Sequence, residues 1–105
     1  MITCFGDSQC KTQLEATADD KFTFHCRVYG HPRPKRYWAR VDGSPLNPNA
    51  YDDNNGTLTI TQLRYPADSG AYMCVANNTW GEDRKIATLE VIRKKLFAFT
   101  RIRQE

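Results

Sequence analysis

Apolar and polar residues alternate along much of this chain, and a helical period is absent nearly everywhere. From Lys21 to Tyr29 the alternation is clean. Phe22, Phe24, Cys26 and Val28 fall on one face and Thr23, His25, Arg27 and Tyr29 on the other. A period of two is that of a strand with one face on a core. Gly30-His31-Pro32-Arg33-Pro34 then breaks the run, because proline has no N–H to give to a ladder. Further strands are predicted over Arg36 to Val41 with Trp38 inward, and over Thr57 to Leu63 with Leu58 and Ile60 inward. Gly70 to Asn77 turns Tyr72, Cys74 and Ala76 inward, and Arg84 to Ile92 does the same with Ala87, Leu89 and Val91. Asp42-Gly43-Ser44-Pro45 and Asp52-Asp53-Asn54-Asn55-Gly56 supply turns, and Asn78 to Asp83 reads as a hairpin loop. The pattern predicts an all-β domain.

Three core residues sharpen this. Cys26 and Cys74 sit inward on separate strands, so they can bridge two stacked sheets, and Trp38 can pack on that bridge. Tyr72 lies two residues before Cys74, where a phenol can bond to backbone at a sheet corner. With Phe24-His25-Cys26, Tyr37-Trp38, Asn55-Gly56-Thr57-Leu58-Thr59-Ile60 and Asp68-Ser69-Gly70-Ala71-Tyr72-Met73-Cys74, the chain resembles an I-set immunoglobulin domain over residues 11–92. The resemblance implies an immunoglobulin-like, two-sheet antiparallel Greek-key sandwich, without catalysis, that recognises partners or spaces neighbours in a tandem array. Trp38-Ala39-Arg40-Val41-Asp42-Gly43-Ser44-Pro45-Leu46 is similar to repeats of perlecan-type basement-membrane proteoglycans. Arg36 departs from the family, which places an apolar inward residue there. Its stem can lie on the core edge with the guanidinium in water.

The chain has 105 residues, enough for one domain, with 40% hydrophobic and 26% charged residues. The net charge of +3 is uneven: residues 1–92 carry ten Lys/Arg against eleven Asp/Glu, and residues 93–105 five against one. A balanced body gives no nucleic-acid footprint. Residues 93–105 resemble no immunoglobulin element and read as a linker, an expression scar or a basic-aromatic arm, adding little to the body. No run of 18 apolar residues exists, and Met1-Ile2-Thr3-Cys4 has no signal-peptide pattern.

Four cysteines, Cys4, Cys10, Cys26 and Cys74, point to two disulfides and an oxidising compartment. Residues 1–10 read as an extension in which Cys4 and Cys10 pair locally, or are the remnant of a preceding disulfide-rich module. A zinc site from Cys4, Cys10, His25 and His31 fits no common ligand spacing. Two sequons, at Asn55 and Asn77, agree with secretion or exposure at the outer cell surface.

Two candidate surfaces emerge. His31, Arg33, Lys35, Arg36 and Arg40 cluster on one loop and strand and suit a sulfated glycan of the heparan-sulfate type, unless Asp42, Asp52 and Asp53 neutralise them. Tyr37, Ala39, Met73 and Val75 would form an outward face more apolar than solvent requires, and such patches mark protein contacts. No nucleophile stands beside an oriented base, so no enzyme and no cofactor are expected. The expected partners are a protein ligand or neighbouring immunoglobulin domains, with a sulfated glycan besides, and with no membrane insertion. The runner-up is a cytoskeletal I-set domain of the palladin or titin kind, which lives in a reducing compartment. A receptor or adhesion-molecule ectodomain is the third reading.

Overall fold

Among residues 1–94, the part of the chain that the computed structural model describes, eight strands form two four-stranded sheets. The strands are β1 (Ile2–Gly6), β2 (Gln13–Thr17), β3 (Phe22–Val28), β4 (Lys35–Arg40), β5 (Ala50–Asp52), β6 (Thr57–Ile60), β7 (Gly70–Asn78) and β8 (Gly81–Ile92). One sheet has the order β1-β3-β6-β5 and the other β2-β8-β7-β4. All pairings are antiparallel except β2 with β8. This all-β architecture agrees with the alternation, and its two stacked sheets are those the immunoglobulin resemblance implies. The expectation for residues 93–105 falls, beyond Lys94, outside the described residues.

The inner faces interlock through aromatic rings. Phe24 on β3 lies 4.7 Å from Tyr72 and 6.3 Å from Trp38, centroid to centroid. Leu58, Ile60, Leu63, Ala87, Leu89 and Val91 complete the buried core. Cys26 and Cys74 are bridged across the two sheets with Cα atoms 6.5 Å apart, and Trp38 stands opposite Cys74 in register.

The N-terminal residues differ from expectation. Residues 1–10 are not an appendage to a body starting at residue 11. β1 pairs with β3, and Phe5 is 3% exposed, 5.6 Å from the Trp38 ring. A bulge between Ile2 and Cys4 breaks the alternation there, so a period of two does not reveal the strand. The chain then crosses to the other sheet through a turn in which the Asp7 carboxylate accepts from the N–H groups of Gln9 and Lys11. Gly6 allows the crossing: a Cβ there would lie 1.8 Å from the Lys11 carbonyl oxygen. The Cys4–Cys10 bridge clamps this turn.

The far end of the sandwich is closed by a buried polar corner. The Tyr72 hydroxyl donates to the Asp68 carbonyl at 2.7 Å. The fully buried Asp68 carboxylate accepts from the Arg64 backbone N–H, the Arg64 guanidinium and the Asn47 amide at 2.8, 2.7 and 2.6 Å. Burial works against its charge, but the Arg64 guanidinium and N–H and the Asn47 amide outweigh it and hold its pKa below the ordinary value.

Two outcomes follow. Phe5→Ala should cost about 3 kcal/mol in urea unfolding, as for other large-to-small core changes, and a loss under about 0.5 kcal/mol would place β1 outside the cooperative core. A carboxylate with a depressed folded pKa stabilises the fold above its unfolded pKa of about 3.9, and that share is lost as pH falls through the folded value. Asp68→Asn should therefore lower stability at pH 7 by about 2 kcal/mol and flatten its fall below about pH 4. Parallel acid profiles for variant and parent would remove Asp68 from the acid response.

Candidate functional site

Alternation on β4 decides which side chains reach solvent. Arg36, Trp38 and Arg40 turn inward, and Lys35, Tyr37 and Ala39 turn outward. On the outer face of the β4-β7-β8 sheet, Tyr37, Val75 and Arg84 stand in one row across the strands, and Ala39, Met73 and Ile86 in the next. Tyr37 and Ile86 are each 50% exposed, and Ala39 and Met73 are half-buried.

Val75 corrects the expected contact set. It lies on the outer face, since Cys74 and Ala76 face the core, yet it is fully buried. β7 is an interior strand, and the long side chains of Tyr37 and Arg84 flank Val75 on either side. It supports the face from beneath and presents no surface of its own. Two exposed apolar residues on β8 and the turn before it were missed. Ile86 occupies an outward position of β8 among polar neighbours, a signal legible in the alternation. Trp80, 83% exposed, sits in the two-residue turn between β7 and β8.

The basic set does not hold together as one patch. His31, Arg33 and Lys35 are exposed and Arg36 is half-buried, but Arg40 is 6% exposed. Arg40 must be removed from the glycan candidates. Its guanidinium donates to the carbonyls of Ala67 and Ser69 and lies 5.0 Å over the Tyr72 ring, so it belongs to the polar corner. Burial pushes the Tyr72 phenol up to about 12, so at neutral pH it stays a donor.

At the other end of β4, Arg36 packs against Gly56, where a Cβ would come within 3.2 Å of the guanidinium and 2.6 Å of the Cys26 carbonyl oxygen. Its Nε is buried without a hydrogen-bond partner. An open cleft of about 190 Å³ lies here, lined by Cys26, Arg27, Val28, Arg33, Arg36 and Asn55. A second, of about 350 Å³, is lined by Pro32, Arg33, Lys35, Asn77, Asn78 and Thr79. Arg27, on β3, was not a sequence candidate. Of the acids expected to neutralise this end, Asp42 bonds Ser44 and lies 3.9 Å from Arg40 at the opposite end of the strand. Asp53 accepts from the N–H groups of Asn55 and Thr57, which with the Arg36 charge holds its pKa low. The two sequon asparagines, Asn55 and Asn77, are both exposed. Among the described residues no group of three or more His, Cys, Asp or Glu side chains is arranged to hold a metal ion.

Known proteins share this architecture. Hemicentin-2 of Mus musculus is 40% identical over 83 residues, 77% of this chain but 2% of its own length. The chain covers 2% to 14% of the lengths of the curated relatives it matches. Tandem Ig repeats of Dlar superpose with a TM-score of 0.74 at 26% identity, over 90% of this chain and 48% of that one. The titin M3 domain gives a TM-score of 0.69 at 26% identity, over 89% of this chain and 96% of its own. The model of the immunoglobulin I-set domain matches residues 8–91, and the chain belongs to that family.

Proposed function

We propose that this domain is a non-catalytic extracellular recognition module of a matrix or cell-surface protein, docking a protein partner on the outer face of its β4-β7-β8 sheet. The observation that carries the reading is the half-exposed pair Tyr37 and Ile86, standing beside Ala39 and Met73 over the fully buried Val75. A packed apolar floor with large side chains above it is costly to leave in water and suits a contact core. Two disulfides and two exposed sequons support the extracellular setting. The exposed Arg33 and Lys35 favour a second contact, with a sulfated glycan.

The cytoskeletal reading differs from this one in its thiols. Cells making the full-length protein should yield no maleimide-reactive sulfur at Cys4, Cys10, Cys26 or Cys74 in denatured, unreduced material. Free thiol at Cys26 and Cys74 would instead put the protein in a reducing compartment.

The docking face is checked by displaying the domain as a labelled tetramer to an array of extracellular protein ectodomains. Binding should drop at least about tenfold in Tyr37→Glu/Ile86→Glu, because buried charge without a partner is expensive, and stay within about twofold in Thr23→Glu/Thr59→Glu on the other sheet. Equal losses in both variants, or an array with no bound ectodomain, would count against this surface.

A further inference from the structure

We infer that Arg27, Arg33 and Arg36 form an anion-binding cleft that receives a sulfo group of a sulfated glycan chain, with Lys35 continuing the track into the neighbouring cleft. The inference deepens, and rests on, the glycan contact proposed above. The first cleft lies beyond the end of β6, where β3 runs on past its partner strand, and the turn holding Asn55 and the loop holding Arg33 wall it in. Three of its six lining residues are arginines and none is acidic.

These cations are uncommitted. Among the described residues Arg40, Arg64 and Arg84 each have a carboxylate within 4.0 Å, whereas Arg27, Arg33, Lys35 and Arg36 have none. Arg36 is the sharpest case. A buried polar atom normally has a hydrogen-bond partner; its Nε lacks one, as does the Nε of Arg40, whose terminal nitrogens nevertheless donate to the Ala67 and Ser69 carbonyls. The guanidinium is held against Gly56, and an oxyanion in the cleft offers it acceptors with charge-assisted geometry. Asp53 feels the Arg36 charge but accepts from two backbone N–H groups and does not line the cleft.

The loop is also pre-set. Arg33 lies between Pro32 and the buried Pro34, and the Asn78 amide donates to the Pro32 carbonyl at 2.9 Å. A site ordered before binding loses less entropy on binding. Arg33 lines both clefts, so the cations run from Arg27 and Arg36 through Arg33 to Lys35. A run of cations across two adjoining clefts matches a linear chain with repeated sulfo groups better than a single small anion.

The test uses the full 105-residue chain, made without N-linked glycans, titrated calorimetrically with a heparin octasaccharide, its desulfated form and a single-stranded oligonucleotide of matched charge. The parent should bind the sulfated octasaccharide, lose it with rising salt and ignore the desulfated form. Arg33→Gln/Arg36→Gln should weaken binding at least about tenfold, the scale of losing charge-assisted hydrogen bonds, whereas Lys11→Gln/Lys21→Gln, removing the same charge elsewhere, should stay within about twofold. Arg33→Gln alone, at an exposed position, should reproduce part of the loss with an unchanged melting curve. A parent that binds while the cleft variants bind equally well would overturn the cleft and leave the glycan contact standing, carried by other cations. A parent that does not bind the octasaccharide would overturn both. Equal losses in the two double variants would reduce the effect to net charge, and tighter binding of the oligonucleotide would overturn the glycan as ligand.

Discussion

Two stacked sheets exchange almost no backbone hydrogen bonds, so their separation and alignment rest on side chains and on the bridge between Cys26 and Cys74. That bridge joins residues 48 apart in sequence, a loop whose closure removes about 4 kcal/mol of unfolded-chain freedom. It also fixes β3 against β7 at the centre of the sandwich. Trp38 is then set opposite Cys74, and Phe24 and Tyr72 meet above it. Phe5 needs those rings in place to be covered, so β1 docks on a surface that the central bridge defines.

The two ends of β4 show what happens once the centre is fixed. Arg36 and Arg40 share the inward face of one strand, where the fold prefers apolar residues. At Arg40 the chain from Ala67 to Ser69 folds back and supplies carbonyl acceptors, and the Tyr72 ring covers the guanidinium. The charge there becomes part of a corner that also holds Asp68, Asn47 and Arg64. At Arg36 no such segment arrives, and the guanidinium is left at the mouth of an open cleft. One inward arginine closes its end of the sandwich and the other borders an open cleft.

This contrast explains what the sequence could and could not disclose. β3, β4, β7 and the second half of β8 read correctly because each has one dry face, and alternation records that directly. β2 alternates Leu14 and Ala16 with polar residues over only five positions, β5 spans three and β1 carries a bulge, so none prints a run long enough to stand out. Arg40 looked like a surface cation because its carbonyl partners lie nearly thirty positions away. Val75 looked exposed because alternation gives the face but not what the neighbouring strands lay over it. Arg27 was assigned to an outward strand position, and only the shortness of β6 turns that position into the wall of a cleft. Ile86 was the one functional candidate legible from the pattern and missed.

The same alternation separates the two surfaces while keeping them adjacent. Lys35 and Arg36 are consecutive, but one faces outward beside the apolar row of Tyr37 and the other turns in toward the cleft. Asn77 pairs with Lys35 and with Glu82 across the outer face, and it lines the second basic cleft as well. A glycan attached there would stand between the protein-docking face and the basic track and would crowd both. Asn55 borders only the first cleft, on the other side of Arg33. Modification of Asn77 would therefore reach both proposed contacts, and modification of Asn55 only the proposed anionic one, because strand pairing has put the first asparagine on the shared border and the second beyond it.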